Sequence, residues 1–347
     1  MPIRLCAIPL AVLLAVPRAQ APEPVALPMS IPIVVVGYFP RAGDKIDIRV
    51  TGDWGEGYAA TKAKAARATR EAIGALEEGS RWHGYQAYAA APSLDYQVVA
   101  EFAFDEALPT LPKAPDANAP MVDYAAIVTR IGIADLVAKH GVKQVWIHAY
   151  HGGVVNMWES NMASPTGDVS NSDRNEADLP VLASTYTVYH YNYQRGVSEM
   201  IENHMHQLEA VLNHADGRET THVAKWHTLL FWGKFVGSDR THKLVSEPKR
   251  CGWSHYAPNS ESDYDWSNPR FVESDIEDWQ PDGIGKLQKI SCDRWAGDSL
   301  RWKVYWLQNI PGAGSGLSYQ GKALRNWWTF VADWDAAKKE KWRLTVE

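Results

Sequence analysis

The sequence predicts an α/β layered domain with a largely parallel sheet, flanking helices and a long, irregular, Trp-rich C-terminal cap. Three observations point there. Continuous apolar runs suited to strands covered on both faces recur along the first half. Helical segments separate them, in the order strand, helix, strand, helix, strand, strand, helix, as crossover-linked parallel strands require. Beyond Gly237 this periodicity disappears, and Trp, Asp, Ser, Asn, Pro and Gly dominate.

The chain opens with MPIRLCAIPLAVLLAVPRAQAPEP. Arg4, the apolar run Leu5 to Val16 and the small residues Ala19 and Ala21 predict a signal peptide over 1–21. The run is too short to span a bilayer, and no later stretch predicts a membrane span. The expected product is secreted or periplasmic, a single α/β domain over 22–347. A Pro-rich spacer leads into IPIVVVGYF, a strand at Ile31 to Phe39. Residues Ala59 to Glu78, rich in Ala, Lys and Glu, predict a helix, and DYQVVAEFAF at Asp95 to Phe104 predicts a second strand. After a proline-studded loop, Met121 to His140 reads as one helix stopped by Gly141. A third strand runs from Val142 into a glycine turn at Gly153, and a fourth covers Ser184 to Tyr191. Helices then follow at about Arg195 to His214 and Thr220 to Val236. The cap spans 237–316, and a final helix near Asn326, Trp327, Trp328 and Trp334 packs back on the body.

With 347 residues and 46% hydrophobic content, the chain has material for a sizeable core. Its net charge of -6 lacks the basic excess of a nucleic-acid-binding surface. The 16 tryptophans are the unusual quantity, and most lie from Trp226 onward. Such an excess either stacks on sugar rings or fills a core. After removal of Cys6, Cys251 and Cys292 remain, and two cysteines in an exported chain predict one disulfide.

Ligands in open α/β sheets bind beyond the carboxyl ends of the strands. Those ends carry His148, His151 and Asn192, followed by Glu159, Arg195 and Glu199. In EMIENHMHQLE, at 100° per residue, Arg195, Glu202, His206 and Glu209 fall within about 80° of Glu199. His204 falls instead among Met200, Ile201 and Leu208 on the apolar face. The stripe is either a solvated face with i,i+4 pairs or a site. As a metal site, His206 and Glu209 supply an imidazole and a carboxylate one turn apart, with a strand-tip histidine as third ligand. As an acid/base site, Glu159 and Glu199 flank a glycosidic bond, oriented by Arg195 and Asn192. Trp158, Trp253, Trp266, Trp279 and His151 are the candidate substrate-binding groups. The oxygen-rich loops Thr166 to Asp178 and Asn259 to Trp266 suit either structural Ca²⁺ or turn chemistry.

The segments NYQRGVSE and His206-x-x-Glu209, with MWESNMA, HYAPNSESDYDW and NWW, resemble an uncharacterised family of secreted bacterial proteins from about Val142 onward. The resemblance implies an exported protein whose segments belong together, and no particular activity. IHAYHGG departs from that pattern, which shifts weight from His148 and His151 to Glu159, Arg195, Glu199, His206 and Glu209. The leading expectation is a secreted hydrolase of a polysaccharide or glycoconjugate working by carboxylate chemistry. The alternatives are a metal-dependent peptidase or deacetylase using His206 and Glu209, and a non-catalytic carbohydrate-binding or cell-surface protein.

Overall fold

A computed structural model describes residues 27–346. The expected signal peptide and Cys6 lie outside the described residues. The centre is a five-stranded sheet. It comprises β1 (Met29–Tyr38), β2 (Leu94–Phe104), β3 (Gln144–Ala149), β4 (Ser160–Ala163) and β5 (Tyr186–Asn192). Their spatial order is β2-β1-β3-β5-β4, with β4 antiparallel to β5 and the other pairs parallel. The helices are α1 (Tyr58–Gly79), α2 (Tyr124–Arg130), α3 (Ile133–His140), α4 (Val197–Ala215) and α5 (Ser299–Leu307). Among the described residues no helix is long and apolar enough to cross a membrane.

Both faces of the sheet are covered, so its strands read as apolar runs without polar alternation. Val145, Ile147 and Ala149 of β3 join Val188 of β5 in one core, together with Ile127, Ile133 and Val137 from α2 and α3. Trp146, Tyr189 and Tyr191 point to the opposite face, into a second core that holds the apolar side of α4 and most of the C-terminal tryptophans. Strand β1 alternates without interruption: Ile31 and Ile33 face the tryptophan side, and Val34, Val36 and Tyr38 face the other. The register irregularity opposite Ile33 and Val34 is an extra residue, Val99, in β2, which leaves Leu94 and Tyr96 on the tryptophan side and Phe102 and Phe104 on the other. His148 follows the same geometry, buried with its Nε2 2.8 Å from Thr69 Oγ1.

Several boundaries differ from the sequence expectation, each for a local reason. The helix expected over Met121 to His140 is two helices, because Gly132 takes a left-handed φ of 69° between them. The helix expected over Thr220 to Val236 is a 3-10 segment, Val223–Thr228, followed by a π-helical turn, Leu230–Phe235. Leu229 is extended between them, and a Cβ on Gly233 would lie 2.1 Å from the carbonyl oxygen of His227. The final helix is two short ones, Thr329–Ala332 and Trp334–Lys339. Strand β4 and helix α5 went unrecognised in the sequence, the first inside MWESNMA and the second inside the cap.

The cap is a layer folded onto α4 and α1, with α5 packed against both. The tryptophans of the C-terminal part mostly build core: Trp279, Trp295, Trp302 and Trp306 of the cap, with Trp232 and Trp327 on either side of it, are essentially buried. Cys251 and Cys292 are not joined. Both are free thiols, Cys251 buried in the aromatic core and Cys292 half-buried at the start of a 3-10 turn. Packing and indole hydrogen bonds hold the cap instead. The Nε1 groups of Trp302 and Trp306 donate to the carbonyls of Ser254 and Gly252 at 3.2 and 2.9 Å.

The close approach at Gly233 gives a direct test. Gly233→Ala should destabilise the protein by about 1–3 kcal/mol, since the added methyl has backbone on its far side and cannot be accommodated by rotating a side chain. Urea unfolding should show a lower midpoint with an unchanged slope.

Candidate metal centre

Helix α4 leaves the carboxyl end of β5 through Asn192 to Gly196. Its first turn is closed by Glu199, whose Oε2 accepts the Gly196 N–H at 3.1 Å. Arg195 reaches the same carboxylate at 3.9 Å, with both side chains well exposed. Asn192 hydrogen-bonds only within its own turn, to Gln194. These three residues line a cavity of about 620 Å³ together with His151, Trp158, Glu159 and Tyr264. His151 is held by its Nδ1 contact with the Val155 carbonyl oxygen at 2.7 Å.

From Glu202 onward the polar stripe of α4 does not face water. The cap covers it, and each charged group meets one specific partner. His204 packs inward, as its helical angle requires, stacked on Tyr189 with centroids 4.0 Å apart and its Nε2 2.7 Å from the Tyr191 hydroxyl. Burial pushes its imidazole down to about 3, so it is neutral. Glu209 is buried and accepts the backbone N–H of Ser254 at 2.9 Å and its hydroxyl at 3.3 Å. The position proposed as a metal ligand therefore serves as an anchor. Glu209 on one side and the indoles of Trp302 and Trp306 on the other fix residues 252–254, and the next residue is His255.

His255 completes the site. Its Nε2 lies 3.1 Å from His206 Nε2, 3.4 Å from Glu202 Oε1 and 3.1 Å from the Tyr264 hydroxyl. One ligand atom each from Glu202, His206 and His255 lie within 4.8 Å of one another, and they form the only such group of three among the described residues. Four-coordinate zinc with bonds of about 2.1 Å places its ligand atoms about 3.4 Å apart. The two spacings that involve His255, 3.1 and 3.4 Å, are close to that value, and the third lies within 4.8 Å.

The outer partners match as well. His206 Nδ1 lies 2.6 Å from Glu159 Oε2, and His255 Nδ1 lies 3.5 Å from Asp263 Oδ1. His206 is thus backed by a carboxylate hydrogen bond through Nδ1, as at metal-ligating histidines, while His255 Nδ1 has a longer ionic contact with the exposed Asp263. The second oxygen of Glu202 is 2.6 Å from the buried ammonium of Lys303, which also donates to the carbonyl and hydroxyl of Ser198. Tyr264 holds its hydroxyl against His255 from a backbone φ of 62°, uncommon for an aromatic residue. Trp253 stacks on the His255 ring at 4.8 Å.

Charge follows from these contacts. Burial opposes ionisation of Glu202, but the His255 and Lys303 contacts outweigh it and bring the carboxyl down to about 2. For His206 burial favours the neutral ring, and the Glu159 hydrogen bond with the surrounding carboxylates outweighs it, raising the imidazole above 6.5. Glu159 experiences the same balance and ends below its usual value. Asn171 donates to Glu159 Oε2 at 2.7 Å.

Other expected site residues are placed elsewhere. Trp279 is buried against Phe235 and Trp327, with its Nε1 donating to the Lys234 carbonyl, and cannot meet a ligand. Trp266 carries the Lys303 ammonium on its ring at 4.7 Å and lines neither cavity at the cluster. Trp158 and Glu159 line both the 620 Å³ cavity and an adjoining one of about 850 Å³, into which His206, His255 and Trp253 face. The oxygen-rich loops close on themselves. Asp168 accepts from the N–H and hydroxyl of Ser170, and Asp265 accepts from Glu261 and Asn268. Sequence reasoning missed His255, Glu202 as a ligand and Lys303. The available signal was SHYAPNSESDYDW, which carries His255, Asp263 and Tyr264 together.

The Glu202–Lys303 pair is testable through stability. Lys303→Met leaves a buried carboxylate without its cation and should cost about 3–5 kcal/mol at neutral pH. Arg67→Met, which removes an exposed i,i+4 pair, should change stability by well under about 1 kcal/mol. Because the folded-state pKa of Glu202 is depressed, its contribution is present above 4.5 and is lost as pH falls towards about 2. The margin of the wild type over Lys303→Met should shrink across that window in urea titrations.

Comparison with protein-family models gave no match, and comparison with curated proteins gave none either.

Proposed function

We propose that the protein is a metal-dependent hydrolase of acyl bonds, an amide or ester carried on an extracellular polymer, with Glu202, His206 and His255 as the ligands of a zinc-class ion. One observation carries this reading: two Nε2 atoms and a carboxylate oxygen converge within 4.8 Å, and His206 is backed through Nδ1 by Glu159. Two imidazoles and one carboxylate are the ligand set of a catalytic site that leaves its fourth position to water, whose pKa the ion lowers towards neutrality. Such an ion would supply an activated water for hydrolysis of the C–N or C–O bond of the acyl group, whose products are a carboxylic acid and an amine or alcohol. Glu159 is placed to pass the water's proton to the leaving group. One of its oxygens holds His206, and among the described residues nothing bonds the other. Tyr264 stands beside the same point as a donor to the oxyanion.

The glycosidase reading, with Glu159 and Glu199 as the acting carboxylates, has less support. Both line the 620 Å³ cavity, but Glu159 is engaged with His206 and Asn171, and Glu199 with the helix N-terminus. Purification without a histidine tag, followed by elemental analysis, decides between them. We expect one zinc-class ion per chain in the wild type and none in His206→Ala or His255→Ala. A wild type that takes up no ion after equilibration with zinc refutes the metal reading, and hydrolysis that survives chelation supports the carboxylate pair.

The pH dependence has a definite sign. His206 must lose its second proton to bind the ion, and its imidazole is raised above 6.5, so zinc affinity should fall as pH drops through that raised value. Without metal the sign reverses. The imidazolium stabilises the fold fully below 6.5, and that contribution is lost as pH rises through the folded-state value. Thermal unfolding of metal-free and zinc-loaded protein from pH 5.5 to 8.5 should show the two curves diverging with rising pH.

A further inference from the structure

The 850 Å³ cavity runs from the His206–His255 cluster past the end of α4, and one cation on its wall makes no ion pair among the described residues, Glu209 and Glu219 acting on it only from a distance. Arg218 lies just after α4, with its guanidinium carbon 4.2 Å from the Trp226 ring centroid and 4.3 Å from that of Trp232. Among the described residues its guanidinium makes neither a hydrogen bond nor an ion pair. The other arginine of this wall differs, since Arg174 pairs with Glu219 at 2.5 Å and donates to the Ser170 carbonyl. Glu209, the nearest buried acid on α4, is taken up by Ser254. Two indoles fix the guanidinium plane, so its fork of donors is preorganised, and such a fork matches a carboxylate in bidentate fashion.

The rest of the lining specifies what would bring the carboxylate. Trp158, Trp226 and Trp253 are half-buried indoles along the cavity, and Asn171, Ser172 and Asn213 supply short donors and acceptors between them. Flat apolar faces interspersed with hydroxyl-matching groups fit a chain of pyranose rings. From His206 to Arg218 the chain advances about 18 Å if taken as helical, enough for the anionic group to sit several bonds from the metal.

We propose that Arg218, clamped by Trp226 and Trp232, is the carboxylate subsite of this cleft, and that the polymer it takes is an acidic polysaccharide whose units carry uronate groups. The subsite stands on its own geometry. Its link to the bond cleaved rests on the metal-hydrolase reading.

The test uses the zinc-equilibrated mature chain and calorimetric titration with hexamers of galacturonate, mannuronate and glucuronate, each beside its full methyl ester. Acid and ester differ only in the charge Arg218 would read. We expect at least one free acid to bind about tenfold more tightly than its ester. Arg218→Met should bring the acid to the affinity of the ester, leaving ester affinity and metal content unchanged. Arg218→Lys should recover only part of the preference, because an ammonium lacks the fork. The proposal is overturned if the wild type binds no acid more tightly than its ester, or if Arg218→Met retains the preference. It is equally overturned if the protein binds peptides with a free but not an amidated C-terminus and none of the uronates. The wild-type acid-to-ester ratio decides the matter even where Arg218→Met does not fold. A protein with the acid preference but no bound metal removes the hydrolase reading and keeps the subsite; the reverse result keeps the metal and removes the subsite.

Discussion

A buried charge must be compensated where it stands, and the polar face of α4 places Glu202, His206 and Glu209 out of water along one helix. In the low-dielectric interior an uncompensated carboxylate costs several kcal/mol. Each of these groups accordingly has its own partner from outside the helix: Lys303 for Glu202, Glu159 for His206, Ser254 for Glu209. The cap is best understood as the set of residues that makes this burial possible. Remove its hydrogen bonds, and α4 would have to expose that face.

This requirement also explains why the cap is rich in tryptophan yet poor in regular structure. An indole buries a large apolar area and still brings one N–H donor. Trp302 and Trp306 use both properties: they fill the core against α4 and satisfy the carbonyls of Ser254 and Gly252. The long irregular stretches of the cap can then be ordered, because their backbone groups find side-chain partners. The reward is precision at His255, which has a buried anchor immediately before it, Trp253 stacked on its ring and Tyr264 at its Nε2. A site assembled between a rigid helix and a well-anchored loop meets the positional tolerance that metal ligation demands.

Within that frame the two cavities have different characters. The smaller one, at the strand ends, is walled by Asn192, Arg195 and Glu199, whose polar groups are already engaged with one another or with the backbone. The larger one holds Arg218, whose guanidinium makes no hydrogen bond or ion pair among the described residues. Trp158 and Glu159 sit where the two meet, so a polymer lying across both would pass directly over the imidazoles.

The sequence by itself determined the layered α/β class, the positions of β1, β3, β5, α1 and α4 to within a few residues, and the inward turn of His204. These are continuous apolar runs and period-3.6 patterns, carried by neighbours along the chain. It also presented Glu159 and His206 as chemically distinctive. The tertiary structure alone decided that the acidic stripe is covered, that Glu209 anchors while Glu202 faces the cluster, and that Trp279 is core. It decided as well that Cys251 and Cys292 stay apart. Those outcomes depend on contacts across 45 to 105 residues of chain, Glu209 with Ser254 and Ser198 with Lys303 among them. No local pattern encodes such a contact, because one helix face looks the same in sequence whether water or an aromatic cap lies against it.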